Sequence, residues 1–121
     1  MIFLDYTKLC NDLMKLDSNI RFVVVLSNYG EKIAGGFRPN IESFLSPDEV
    51  QMSLFYAGQR WETRTHLVHR IGKPKYSITE YEKVKQFTLP IDEKHLLLIS
   101  TETNVPSDKI VENAFRLIKQ N

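Results

Sequence analysis

The residues that could carry out chemistry in this chain are few and widely spaced. His66 and His69 stand three positions apart in a predicted helix, so both could lie on one face and bind a metal ion. No cysteine stands at a matching position nearby, and His95 is far along the chain. We therefore expect no metal site, and we interpret the two histidines as a solvated or interface pair.

Cys10 is the only cysteine, which excludes an internal disulfide and a zinc site built from several cysteines. It lies between Leu9 and Leu13 on the apolar side of the first predicted helix, so we expect a buried thiol that packs as a small hydrophobe. The chain has no recognisable Ser/Cys–His–acid set and no carboxylate dyad. A hydrolase is therefore the weakest of the functions considered, and no catalytic residue is predicted.

Gly35 and Gly36 could allow a backbone to approach a phosphate, but neither of the two glycine-rich nucleotide motifs surrounds them. A bulge, or close packing of a helix on the strand, explains the pair better. No cofactor is predicted.

The composition is that of an ordinary globular protein. The chain has 121 residues, 42% of them hydrophobic and 26% charged, which predicts one domain over residues 1–121. The formal net charge of +1 gives no global field that would favour nucleic acid or anionic lipid. The sequence has no apolar run of bilayer length, and its first residues lack the features of a signal peptide, so we expect a cytoplasmic protein without a membrane span.

Hydrophobic periodicity predicts the elements that would position these residues. Helices are expected at 2–16, at 47–71 and from about 107 onward, and strands at 21–26, at 32–37 and three times between 75 and 101. The 21–26 segment is apolar on both phases, as in a strand covered on both faces. The order α-β-β-α-β-β-β-α predicts an α/β fold of the α+β type, a three-layer α-β-α sandwich around a five-stranded antiparallel sheet.

The central helix has the clearest local signal. Ser46 is a good N-cap, Pro47 suits the first helical position and Glu49 can complete a capping box. Gly72 is expected to end the helix after Ile71. One face carries Val50, Leu54, Ala57, Trp61, Thr65 and Val68, while Met52, Phe55, Leu67 and Ile71 lie outside this stripe. The apolar surface is therefore wider than one stripe.

These features resemble the Roadblock/LC7 domains, which belong with the longin and profilin-like folds. Residues 22–26, 28–30 and 33–35 look like the opening hairpin of that family, and 86–92 followed by 96–99 look like its closing hairpin. The helix from Pro47 to Ile71 stands where the family has its dimer helix. Ser27-Asn28 departs from the pattern, because many members carry an acid before the glycine turn. The chain is also similar to small archaeal proteins without an assigned activity.

The resemblance implies a non-catalytic module that dimerises with itself or with a paralogue and scaffolds or regulates a small Ras-like GTPase or a related signalling partner. The alternative is a small-molecule sensor on a profilin-like scaffold, with a pocket between the long helix and the sheet near Gly35, Gly36 and Trp61.

Gly58 sits in mid-helix beside Ala57, where glycine costs about 1 kcal/mol relative to alanine. Two small residues permit a backbone to come close, either the chain's own or the same helix of a second subunit. With the family resemblance, the second interpretation predicts a dimer interface made of Leu54, Ala57, Gly58, Trp61 and Thr65.

Basic residues cluster toward the end of the same helix. They are Arg60, Arg64, Arg70, Lys73 and Lys75. A solvated helix face, a rim around a partner-binding surface and a nucleic-acid contact all fit this cluster, and the small net charge counts against nucleic acid. As candidates for a partner-binding rim we take Arg60, Arg64, Arg70 and Lys73.

Overall fold

A five-stranded antiparallel sheet forms the centre of the fold in the computed structural model, which describes residues 5–120. The helices are α1 (Tyr6–Leu16), α2 (Pro47–Thr65), α3 (Val68–Ile71) and α4 (Ser107–Gln120). The strands are β1 (Ile20–Ser27), β2 (Lys32–Phe37), β3 (Ser77–Glu80), β4 (Lys85–Pro90) and β5 (His95–Thr101). Across the sheet they follow the order β2-β1-β5-β4-β3. The predicted element order and the α-β-α sandwich are confirmed, with α3 as an additional short helix.

Alternate residues of the central strands supply two separate cores, one on each face of the sheet. Val23 and Val25 of β1 point toward α1 and α4, while Val24 and Leu26 point toward α2. All four side chains are fully buried, because β1 is paired on both edges and covered on both faces. The prediction of a strand buried on both sides is therefore confirmed.

The first helix begins later than predicted. Asp5 has an extended backbone and its carboxylate accepts a hydrogen bond from the Lys8 N–H at 3.0 Å, so Asp5 is the N-cap and α1 starts at Tyr6. The predicted start at Ile2 lies outside the described residues.

The start of α2 has the predicted capping box. The Ser46 hydroxyl accepts a hydrogen bond from the Glu49 N–H at 3.2 Å, and the Glu49 carboxylate accepts one from the Ser46 N–H at 2.9 Å. These hydrogen bonds lower the pKa of Glu49 below its ordinary value. Two backbone donors that the helix itself cannot satisfy are thereby paired.

The end of α2 corrects the prediction of one continuous helix to Ile71. The Thr63 and Thr65 hydroxyls donate to the carbonyls of Gln59 and Glu62, and such bonds from side chain to backbone loosen a helix. The next N–H groups, of His66 and Leu67, bond three residues back instead of four. The chain then re-enters a helix only as α3, which Gly72 ends with φ at +87°. Within residues 5–120 no helix is long and apolar enough to cross a membrane.

We expect Ser46→Ala to lower the free energy of unfolding by about 0.5–2 kcal/mol, because it removes one half of the capping box. Urea denaturation followed by circular dichroism measures this loss. Ser18→Ala, in an exposed turn, is the control and should change stability by less than about 0.5 kcal/mol. Equal stability of the two variants would contradict the capping role.

Candidate functional site

The helix α2 covers only part of its face of the sheet. Leu54, Ala57 and Trp61 pack on β1 and β5 residues, among them Val24 and Leu98. On the other side of α2 the same face of the sheet continues through Ser100 and Gln86, which are only half-buried. An open groove therefore runs beside α2, and we call it the α2 groove.

The α2 groove has a volume of about 660 Å³. Its floor is the sheet, one wall is α2, the other wall is the turn between β3 and β4, and the loop before α2 closes one end. Six large apolar or aromatic side chains that line it are each 40–56% exposed: Phe37, Phe44, Leu45, Met52, Tyr56 and Tyr81. Exposed apolar residues grouped in this way mark a surface for interaction.

Phe44 is held in place by two cations. The Arg21 guanidinium lies 4.4 Å from the centre of the Phe44 ring, and the Lys83 ammonium lies 5.3 Å from it. Arg21 is itself buried, and it donates to the Glu102 carboxylate at 2.8 Å and to the Glu42 carbonyl at 2.7 Å. Cation–π contacts of this kind contribute about 0.5–2 kcal/mol each. The loop before α2 is thus fixed where it closes one end of the groove.

Charges of both signs border the apolar part of the groove. Glu49 and Arg60 belong to α2, and Glu82 and Lys83 belong to the opposite turn. All four residues are exposed. An apolar centre with a polar rim is the usual anatomy of a protein–protein interface.

The residues predicted for a dimer interface lie inside the subunit. Leu54, Ala57 and Trp61 are only 2%, 3% and 8% exposed and pack on the chain's own sheet. Gly58 is also buried, and a Cβ atom there would lie 3.1 Å from the Gly30 nitrogen. Thr65 is half-buried and its hydroxyl donates to the Glu62 carbonyl. The close backbone approach expected at Gly58 therefore exists, but it is to the chain's own β1–β2 turn.

The residues predicted for a partner-binding rim are all exposed, yet they divide between two places. Arg60 lines the α2 groove. Arg64 and Lys73 border a separate cavity of about 210 Å³ beside α3. Arg70 belongs to α3 itself.

Cys10 is buried as expected, and burial raises the pKa of its thiol to about 11. A thiol with this pKa is protonated at neutral pH and is a poor nucleophile. Its sulfur lies 3.0 Å from where a Cβ atom of Gly35 would stand, so the glycine makes room for α1 on β2. His66 and His69 are both exposed, and residues 5–120 contain no group of three potential metal ligands.

Sequence reasoning missed a polar cluster that links α1 to the β4–β5 turn. The Tyr6 hydroxyl lies 3.2 Å from Nδ1 of His95, and this nitrogen lies 2.9 Å from the Asp92 carboxylate. Burial raises the pKa of Asp92, but hydrogen bonds from the Lys94 N–H and from His95 outweigh this and keep it below the ordinary 3.8. Burial and the nearby Asp92 charge raise the pKa of Tyr6. Asp92 and His95 are close in sequence, but nothing in the local pattern predicts that Tyr6 joins them.

The chain belongs to the Family of unknown function (DUF6659), which matches residues 2–121. No curated protein matches the chain. Its fold is that of the Roadblock/LC7 domains: it is similar to a Roadblock/LC7 domain from Streptomyces avermitilis, with a TM-score of 0.75 and 15% identity over 97% of this chain and 94% of that one.

Two further solved structures share the fold. Myxococcus xanthus MglB is similar with a TM-score of 0.73 and 14% identity, over 99% of this chain and 93% of that one. Profilin II of Acanthamoeba castellanii is similar with a TM-score of 0.57 and 11% identity, over 96% of this chain and 98% of that one. The predicted resemblance to Roadblock/LC7 and profilin-like folds is confirmed, and the resemblance to archaeal proteins stays a prediction.

We expect Gly58→Arg to lower the free energy of unfolding by at least about 3 kcal/mol, because a Cβ atom at position 58 would already lie 3.1 Å from the Gly30 nitrogen and the rest of the side chain would bring a charge into this buried contact. Chemical denaturation of the variant measures the loss. Gln59→Arg, at the exposed neighbouring position, is the matched control and should be nearly neutral. A stable, folded Gly58→Arg protein would contradict the packing of α2 on the β1–β2 turn.

The lowered pKa of Asp92 predicts a stability contribution that depends on pH. A carboxyl whose pKa is lower in the folded state stabilises the fold above its unfolded pKa, and this contribution disappears as pH falls through the folded value. Wild type should therefore be more stable than Asp92→Asn at about pH 5, and the difference should shrink as pH falls below the ordinary 3.8 and vanish once the carboxyl is protonated in the folded state. Urea titrations across this range test it, with Glu93→Gln as the control. A difference that persists undiminished in acid would exclude the ionised carboxylate as its cause.

Proposed function

We propose that the protein is a non-catalytic interaction module that pairs with a second copy of itself through the α2 groove, and that the dimer binds a small Ras-like GTPase or a related signalling partner. The observation that carries this proposal is the α2 groove itself. A free subunit would leave its six large apolar side chains in water, whereas a partner would bury them.

The groove suits a second copy of the chain because its charges are balanced. Its exposed rim has two acids, Glu49 and Glu82, and two bases, Arg60 and Lys83, while a third base, Arg21, is buried and paired with Glu102. In a two-fold dimer each subunit offers the same patch to the other, so a patch of one sign would repel itself. A patch with equal numbers of both signs can instead pair with its own copy.

The sheet edge next to the groove offers a second contact. β3 pairs with β4 on one side and forms the end of the sheet on the other. Three of its four residues are exposed, including Ile78 at 39%. An open strand edge presents backbone donors and acceptors that an equivalent strand can pair with. In such a dimer, α2 and β3 of each subunit would both face the partner.

The family likeness supports self-association and a GTPase partner only by analogy. One solved structure of MglB, similar to this chain with a TM-score of 0.70 at 10% identity, has a tetrameric arrangement. The GTPase partner comes from the Roadblock/LC7 resemblance alone.

The lack of catalysis is part of the proposal. Among the described residues that line the groove are three serines but no histidine or cysteine, so a Ser–His or Cys–His pair for nucleophilic catalysis is missing there. A cytoplasmic location completes the proposal, and the thiol of Cys10 is compatible with that reducing compartment.

A small-molecule sensor is the second candidate, favoured by the size of the groove. A volume of about 660 Å³ falls within the usual range for sites that bind small ligands. The sensor would bind an apolar ligand in the groove as a monomer. The expected position near Gly35, Gly36 and Trp61 is wrong for this cavity, because none of these residues lines it.

Molar mass by light scattering separates the two candidates. At tens of micromolar we expect the wild type to have twice the chain mass of 14.1 kDa. Tyr56→Arg should return the mass to that of one chain, because it places a second cation beside Arg60 in the apolar groove. Phe55→Arg is the matched control: Phe55 and Tyr56 are both 48% exposed on α2, but only Tyr56 lines the groove.

A wild type that is monomeric at this concentration would overturn the dimer and favour the sensor. A dimer that Tyr56→Arg leaves intact would place the interface on another surface. With the dimer established, titration calorimetry against Ras-like GTPases loaded with GDP or a GTP analogue tests the partner. Binding of the wild type, and none for Tyr56→Arg, is the result that the proposal requires.

A further inference from the structure

The segment around α3 is the most cationic part of the chain. From Thr63 to Thr79 there is no acidic residue, while Arg64, Arg70, Lys73 and Lys75 are basic and His66 and His69 are titratable. The chain has 16 basic and 15 acidic residues, so the rest of it carries 12 basic and 15 acidic ones. The near-zero net charge therefore conceals a local excess of four positive charges. We call residues 64–75 the basic corner.

Two aliphatic side chains protrude from this corner. Leu67 is 53% exposed, and Ile71, one helical turn later, is 79% exposed. Together with Arg64 and Lys73 they border one shallow cavity of about 210 Å³. The apolar tips and two of the cations thus share one surface, and the remaining cations of the corner, Arg70 and Lys75, are exposed as well.

The fold holds these tips away from the core. The helix is interrupted at His66 and Leu67, and Gly72 ends α3 in a backbone conformation that residues with a side chain rarely adopt. As a result α3 has no buried residue. Ile71 is therefore exposed because the backbone places α3 away from the core, and a different side-chain rotamer alone would not bury it.

We infer that the basic corner docks on an anionic lipid bilayer, with Leu67 and Ile71 in the headgroup layer and Arg64, Arg70 and Lys73 against the anionic headgroups. A bilayer surface presents negative charge above an apolar layer, which complements both features of the corner at once. This inference concerns the opposite end of α2 from the N-terminal half that lines the groove, and it does not depend on the proposed dimer.

Nucleic acid would match only one of the two features. It would pair with the cations but would leave the aliphatic tips without a partner, since single strands are held by stacking on aromatic rings. The nearest aromatic residue after the corner, Tyr76, already packs edge-on against Phe115 at 6.3 Å between ring centres.

The ion pair between Lys73 and Glu93 does not cancel the positive charge of the basic corner. Lys73 lies 3.9 Å from Glu93, but the two side chains are 79% and 90% exposed. An ion pair in such a position is weak and screened by salt. Lipid headgroups can therefore replace Glu93 as the partner of Lys73.

Co-sedimentation with vesicles tests the inference. The probes are vesicles of phosphatidylcholine alone and vesicles in which about a third of the lipid is phosphatidylserine, each at low and high salt. We expect binding to the anionic vesicles only, weakened by salt. The double variant Arg70→Glu/Lys73→Glu should lower the partition coefficient at least about tenfold, and Ile71→Ser about tenfold without a change in charge.

The double variant Lys109→Glu/Lys119→Glu is the matched control, because it makes the same change in charge on exposed positions of α4. It should bind the anionic vesicles like the wild type. An equal loss of vesicle binding in this control would show that only the net charge matters and would overturn the inference. A wild type that does not bind the anionic vesicles would overturn it as well. Binding to duplex DNA or transfer RNA at the same salt, without vesicle binding, would also overturn it and assign the corner to nucleic acid.

Thermal unfolding and light scattering of the same samples keep the outcomes separate. The corner variants should melt as the wild type does and keep its molar mass, so any lost vesicle binding is not lost folding or lost dimer. A monomeric wild type that binds anionic vesicles would contradict the dimer and leave this inference standing.

Discussion

The contact between Gly58 and the β1–β2 turn fixes the arrangement of one whole face of the protein. A Cβ atom at position 58 would lie 3.1 Å from the Gly30 nitrogen and 3.4 Å from the Asn28 carbonyl, so the two backbones meet without side chains between them. Gly30 meets α2 in the same way, at Leu54 and Phe55. This contact holds α2 over β1 and β5. The end of the sheet where Phe22, Phe37, Gln86 and Ser100 lie stays open beside α2 on that face, and the α2 groove is the result.

One helix therefore serves two surfaces of different chemistry. The N-terminal half of α2 forms a wall of an apolar groove with balanced charges, which suits a copy of the same chain. Its C-terminal end leads through the break at His66 into the basic corner, where aliphatic tips stand among cations. In the proposed assembly the first surface would lose water by pairing with protein, and the second would dock on an anionic bilayer. If both occur, a dimer would carry two basic corners, and two weak membrane contacts reinforce each other strongly when they are linked.

The order of the helices and strands was predictable from the sequence because the signals that define most of them are local. The capping box at Ser46, the two-sided apolar run of β1 and the stop at Gly72 are all matters of residue type and spacing. The break in α2 depends on the hydrogen bonds that the Thr63 and Thr65 hydroxyls donate to the backbone, and the spacing of apolar residues does not predict these bonds.

The spacing of apolar residues also cannot distinguish a helix face that packs on its own sheet from one that packs on a partner, since both faces are apolar. Leu54 and Trp61 therefore match the pattern of an interface although they lie in the core. The groove was beyond sequence reasoning because Phe44, Tyr56 and Tyr81 come from three separate segments that only the fold brings together.

Hydrogen exchange as a function of protein concentration tests the central claim most directly, namely that the α2 groove and the β3 edge face a second copy of the chain. On going from dilute to concentrated protein, the account predicts that amides of β3 and of the N-terminal half of α2 exchange more slowly, while those of α3 in the basic corner stay unchanged. Protection that does not depend on concentration, or that appears on α1 and α4 instead, would contradict it.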